Sequence, residues 1–188
     1  MTRVITNVVG FDDAPFAREH RGDVLLVGAV CSRTRLDGVL SGRVRRDGRN
    51  STQRMIELVR GAQFAGHIRA VLLQGIAVAG FNVVDVRELS ETLQVPVLVV
   101  ARRQPDLPAM RAYLEARVPG ADRKWRLIEA AGPMEPLGGV WVQRMGIGSA
   151  AARRLLTATT LHGKLPEPLR LAHLIAGGIG RGRSRGRA

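Results

Sequence analysis

Asn50-Ser51-Thr52-Gln53-Arg54-Met55-Ile56-Glu57-Leu58-Val59 is where the chain changes its period, and that change decides the fold. Upstream lie short valine-rich runs. From here on, Met55, Ile56, Val59 and Phe64 recur at helical spacing. Ser51 is placed to cap the helix, and Gly66 to stop it.

Working outward toward the amino end, residues 4–11 and 24–31 read as strands bounded by glycine, aspartate or arginine. Pro15 and Gly22 break the loop between them. A third strand is expected over about 36–44, anchored by Leu36, Val39 and Val44 and weakened by Gly38 and Gly42. Loops this short exclude crossover helices, so the three strands are antiparallel neighbours.

Toward the carboxyl end, Val71-Leu72-Leu73 is a short, fully apolar strand, 85–93 a polar-faced helix and 95–101 another strand around Pro96. Strand, helix, strand and helix at this spacing predict parallel crossover units. Residues 105–117 form the next helix, with Leu107, Met110, Tyr113 and Leu114 on one face. Short strands are expected at 126–130 and 139–143, and helices at 149–157 and 166–176, the last starting near Pro166. The fold class is therefore α/β: a mixed sheet, three antiparallel strands followed by parallel ones, with helices on its faces. This is the ribonuclease H-like arrangement in outline. Residues 1–178 are expected to form one domain, and 179–188 a basic disordered tail in which arginine alternates with glycine or serine.

The chain has 188 residues, 45 % of them hydrophobic, which suffices for one sizeable core. Its net charge of +13 is uneven: 13 basic and 10 acidic side chains through residue 94, and 16 and 6 beyond it. Such a field favours nucleic acid or another polyanion as partner. Arginine supplies most of the positive charge and can grip phosphate in a bidentate way, although a coding bias toward arginine would give the same excess. No apolar run approaches the length of a membrane span, no signal-like segment opens the chain, and the expectation is a soluble cytoplasmic protein with no membrane partner. The single cysteine, Cys31, falls in an apolar run and reads as a buried structural thiol. His20, His67, His162 and His173 have no zinc-like spacing with it, and the glycine-rich stretches carry neither a Walker lysine nor a dinucleotide pattern.

Two regions could carry chemistry. Gly10-Phe11-Asp12-Asp13-Ala14-Pro15-Phe16 sets two acids at the exit of the first strand, where a divalent cation could meet an anionic polymer. In the expected sheet this exit lies near the loop after Leu73, Gln74-Gly75 to Asp85. There Asp85 reads equally as a metal ligand and as a helix N-cap, and Asn82 lies three residues before it. Phe81 could stack on an extruded base, though a lone aromatic beside Val83 and Val84 reads more readily as core. The 33–49 segment carries six arginines, among them Arg43, Arg45 and Arg46, which could hold phosphate or simply form a solvated ribbon.

Together with Gly163-Lys164-Leu165-Pro166-Glu167-Pro168-Leu169-Arg170-Leu171-Ala172-His173-Leu174, these stretches resemble the archaeal family of uncharacterised proteins related to endonuclease V, some members of which are called endonuclease dU. The resemblance covers nearly the whole chain in order. It implies a ribonuclease H-like fold and a magnesium-dependent nuclease ancestor acting on deaminated bases, deoxyuridine or deoxyinosine. Asp12 matches the first-strand metal ligand of the relatives, and Asp13 the pattern of this branch. Where the relatives have an Asp-Gly pair whose acid is a second ligand, this chain has Gln74-Gly75, and the relatives' middle glutamate has no clear counterpart. Arg170 and His173 match the C-terminal helix motif, which points to packing and substrate placement.

The resulting expectation is a Mg²⁺-dependent endonuclease on DNA, with Mn²⁺ as a possible substitute. Asp12 anchors the cation, with Asp13, Asp85 and Gln74 completing its shell if they converge. Arg170, His173, Asn82, Phe81, Arg43, Arg45 and Arg46 contact substrate. The alternative is a nucleic-acid-binding protein on the same scaffold, its chemistry weakened by the missing acid.

Overall fold

The computed structural model describes residues 4–184. In chain order the elements are β1 (Asn7–Asp13), β2 (Asp23–Ser32), β3 (Arg35–Arg45), α1 (Ser51–Arg60), β4 (Ala70–Gln74), β5 (Ala77–Val78), β6 (Asn82–Val83), α2 (Val86–Leu93), β7 (Val97–Ala101), α3 (Leu107–Arg117), α4 (Ala121–Ala130), β8 (Glu135–Leu137), β9 (Val140–Met145), α5 (Ser149–Thr159) and α6 (Glu167–Arg181). Seven strands make one sheet in the order β3-β2-β1-β4-β7-β9-β8, and β5 and β6 form a separate two-stranded ribbon. The first three strands are antiparallel, while β4 runs parallel to β1 and β7 parallel to β4. β9 then turns back antiparallel to β7 and pairs with β8. This is the expected ribonuclease H-like α/β architecture.

The central strands are buried on both faces, so their side chains divide by parity. On one face Val9, Phe11, Val71 and Leu73 pack with Met55, Ile56 and Val59 of α1 and Leu89 of α2. On the other, Val8, Leu72, Leu98 and Val100 pack with Leu155 and Leu156 of α5 and Leu169 of α6. Farther along α6, Ala172 and Ala176 rest on Val27, Ala29 and Cys31 of β2. Gly10 lies under the start of α6: a Cβ there would stand 2.5 Å from the carbonyl carbon of Pro168. Its absence lets the helix backbone lie directly on β1.

Several local expectations are corrected. Residues 126–130 are helical, the second half of α4. Lys124 occupies a buried position on the stripe with Ile128, which breaks the apolar period that would have marked a helix. α1 ends against Gly61 rather than Gly66, and Ser51 does not cap it. The Ser51 N–H instead donates to Asn82 Oδ1 at 3.1 Å, while its hydroxyl donates to the carbonyls of Asn82 and Val83. The expected tail start at residue 179 falls inside α6, and residues 185–188 lie outside the described residues. No helix among the described residues is long and apolar enough to cross a membrane. Cys31 is buried as expected, and burial, then the charges of Asp37 and Glu167, push its thiol up to about 12. A thiol so held is a poor nucleophile.

Candidate functional site

Asp12 lies near the carboxyl end of β1, on the same face as Gly10 and therefore under α6. The parallel register pairing Phe11 with Leu73 sets Asp12 beside Gln74, the last residue of β4. α6 runs along β1 and brings His173 over this point. Asp12 Oδ2 and His173 Nδ1 are 2.8 Å apart, and Asp12 Oδ1 accepts the Asp13 N–H at 2.9 Å. Burial raises the Asp12 pKa above its ordinary value, opposed by the hydrogen bond and charge of His173. Gln74 Oε1 is buried and has no hydrogen-bond partner among the described residues. Two strand ends and one helix thus bring together a carboxylate, an imidazole and an orphaned amide oxygen.

Asp13, one residue on, points the other way by strand alternation. It takes a backbone hydrogen bond from Ala79, so it faces the loop after β4, as the sheet topology predicts. Burial, reinforced by the charge of Asp12, raises its pKa to about 7. Asp85 is the N-cap of α2: its Oδ1 accepts the Glu88 N–H at 3.0 Å, and its own N–H donates to Thr52 Oγ1. Among the described residues no three His, Cys, Asp or Glu side chains come together as a group that could hold a metal ion. The expected convergence of Asp12, Asp13 and Asp85 is therefore not formed. Strand alternation separates the first two, and helix capping holds the third.

The expected substrate contacts divide in the same manner. Asn82 is fully buried, and its amide donates to the Arg45 carbonyl and to Asn50 Oδ1 while its oxygen accepts the Ser51 N–H. It fastens β6 to the start of α1 and is not free to meet a ligand. Phe81 packs at the edge of the core and stacks on Tyr113, with ring centroids 5.4 Å apart, which favours the core reading over base stacking. The Arg46 guanidinium donates to the carbonyls of Arg18 and His20 and lies over the Phe16 ring, fixing the β1–β2 loop. Arg45 is exposed and 3.7 Å from Asp23, and Arg43 is exposed on the edge strand. Arg170 forms a bidentate ion pair with the buried Glu167 one turn earlier. Only His173 of this set sits at Asp12.

Sequence reasoning passed over Arg102 and Arg103, which are exposed just past the carboxyl end of β7. β4 and β7 end together, with Gln74 paired to Val100, so both arginines stand at the edge of the sheet that carries Asp12. The signal was available: two arginines directly after a parallel strand in a sheet whose ligands gather at carboxyl ends.

The donor set fits one hard cation. Mg²⁺ is commonly held by one or two carboxylates and keeps several waters. Asp12 offers the carboxylate, and the unpartnered Gln74 Oε1 a neutral oxygen beside it. A neutral amide adds no charge, so such a site holds its ion more weakly than a pair of acids would.

The model of the family described as endonuclease dU matches residues 5–180. A UPF0215 protein of Deinococcus radiodurans is 56 % identical over 182 residues, covering 97 % of this chain and 93 % of the relative. A UPF0215 protein of Methanothermobacter thermautotrophicus is 42 % identical over 188 residues, 96 % of this chain and 91 % of its own length. Among solved structures, a protein of unknown function from Archaeoglobus fulgidus superposes with a TM-score of 0.86 at 29 % identity, covering 93 % of this chain and 98 % of that one. The catalytic domain of human endonuclease V superposes with a TM-score of 0.59 at 16 % identity over 92 % of this chain and 81 % of that one, which establishes a shared fold. By sequence along nearly its whole length, this chain belongs to the endonuclease dU family.

Proposed function

We propose that the protein is a metal-dependent endonuclease that hydrolyses phosphodiester bonds in DNA containing a deaminated base. The observation that carries this reading is the Asp12–His173 pair beside the orphaned Gln74 oxygen, at the carboxyl edge of an endonuclease V-like sheet. When bound, a divalent cation supplies Lewis acidity toward phosphate and toward an attacking water. Asp12 and Gln74 Oε1 would hold it. His173 holds the Asp12 carboxylate in one orientation through Nδ1. With the Nδ1 proton directed at Asp12, its Nε2 is left as the acceptor that can take a proton from water or return one to the leaving oxygen. Arg102 and Arg103 stand where they can neutralise phosphate charge at that edge.

A second reading has its own observation. Gln74 stands where the resemblance to endonuclease V implies an acid, and among the described residues no three His, Cys, Asp or Glu side chains form a metal-holding group, which favours a nucleic-acid-binding protein with weakened chemistry. One assay separates the two: labelled DNA with a single deoxyuridine or deoxyinosine, incubated with Mg²⁺ or Mn²⁺. The nuclease reading expects cleavage by the wild type, loss to background in Asp12→Ala, and a lower Mg²⁺ requirement in Gln74→Asp. Retained binding with no turnover by the wild type or Gln74→Asp under either ion establishes the binding protein instead.

A further inference from the structure

A cavity of about 300 Å³ opens between the β3–α1 loop and the amino end of α4, on the sheet face opposite His173. Asp47, Arg49, Pro119, Arg123 and Lys124 line it. A water occupies about 30 Å³, so a phosphate group and several waters fit.

Lys124 is the informative member, because it is among the residues that line the cavity yet is only 4 % exposed. Lysine is almost never buried to this degree unless paired. Its ammonium donates to the backbone carbonyl of Asp47, and among the described residues no carboxylate lies within ion-pair distance of it. The Asp47 carboxylate is already engaged: Oδ1 accepts the Phe81 N–H at 2.8 Å, and Oδ2 lies 3.2 Å from Arg46 Nε. Burial and the neighbouring Arg123 both disfavour the charged lysine, and Asp47 only partly opposes them. Arg49 and Arg123 stand exposed at the rim, and neither has an ion-pair partner among the described residues. The one acid in its lining is Asp47, whereas the exposed Asp122 in the first turn of α4 lines a separate hollow with Trp125 and Glu129. Three cations, one of them buried, thus converge on a hollow that holds no free carboxylate for them.

We propose that this cavity is a phosphate-binding subsite for a nucleic-acid strand, engaging a backbone phosphate away from the scissile bond. The proposal rests on the nucleic-acid reading above and extends it to a second contact point. The two places are joined by one loop: the Asp47 N–H donates to the Ala79 carbonyl at 2.9 Å, and the Ala79 N–H serves Asp13 at the end of β1. A strand laid across the carboxyl edge of the sheet at Asp12 meets this loop on its way to the cavity. Lys124 and the two arginines then exchange water and counterions for a phosphodiester.

The test measures binding of a fluorescent single-stranded oligonucleotide in EDTA, where binding is read without turnover, across about 50–200 mM salt. Arg49→Gln/Arg123→Gln is expected to weaken binding about tenfold, as loss of charge-assisted hydrogen bonds does, and to lower the salt slope by about 1 to 1.5. Lys124→Met keeps the stem in place and is expected to weaken binding in the same direction. Circular dichroism confirms its fold, and the double variant, confined to exposed side chains, carries the test if Lys124→Met is misfolded. Affinity and slope unchanged in the double variant overturn the proposal. A second arm titrates inorganic phosphate. Phosphate that binds the wild type but not the variants, while strand binding stays equal in all, assigns the cavity to a free anion and also overturns it. Strand binding that depends on Arg49 and Arg123, in a protein that cleaves nothing, supports the subsite and defeats only the nuclease reading.

Discussion

The two faces of the central sheet treat their polar groups in opposite ways. On the α1 face, fully buried Asn82 spends its amide on Arg45, Asn50 and Ser51. On the α6 face, Gln74 Oε1 is buried with nothing to accept from among the described residues. The same chemical group is thus a structural rivet on one side and an unmet acceptor on the other. Native proteins leave few buried polar atoms unsatisfied, and an exception calls for a reason. The α6 face has that reason in the Asp12–His173 pair alongside.

Three substitutions break or sharpen this contrast. Asn82→Ala should cost most, about 3 kcal/mol in denaturant unfolding, because it strands the buried Ser51 N–H and removes two further hydrogen bonds at once. Retention of wild-type stability would show the rivet to be dispensable. Next comes Asp13, which turns to the α1 face while its neighbour Asp12 turns to α6. Its carboxyl titrates near 7 in the folded chain against an ordinary 3.8. The folded state therefore holds a proton that the unfolded chain releases. That stability contribution is complete below about pH 4, is lost as pH rises toward 7 by at most about 1.4 kcal/mol per pH unit, and changes no further above it. Asp13→Asn should flatten the fall in thermal midpoint over this range, and an unaltered profile assigns the proton elsewhere. The smallest effect is the most diagnostic. Gln74→Met, which removes the orphaned oxygen at similar size, should stabilise the metal-free protein by about 1 kcal/mol while abolishing any Mg²⁺-dependent gain in thermal midpoint. A destabilised Gln74→Met would mean that the amide is satisfied after all.

Much of this molecule could be read from its residues. Valine-rich runs gave β1 and β2, the anchors Leu36, Val39 and Val44 gave β3, the helical spacing from Met55 gave α1, and the apolar Val71-Leu72-Leu73 gave β4, because burial periodicity is a local property. α4 was lost because Lys124, its buried stripe residue, is charged. At the site, Asp12 and His173 were both marked, by motif rather than by pattern. Their contact is set by the packing of α6 on β1, which no local window contains. Asp85 was legible only as an even choice between cap and ligand, since both uses favour the same residue at the same place. Asn82 looked like a ligand because a polar residue between turns resembles one. That it fastens two elements follows from tertiary contacts alone.

The bare backbone contact at Gly10 has a consequence in time as well as in space. Asp12 and His173 are separated by 161 positions, and the helix bearing His173 cannot dock on β1 until the elements that precede it have been made. A nascent chain can pair β1 with its neighbours early, since domains begin to organise during synthesis. The imidazole arrives long after the carboxylate it meets. Whatever this site does, it stays silent on the ribosome until α6 has emerged and closed over the first strand.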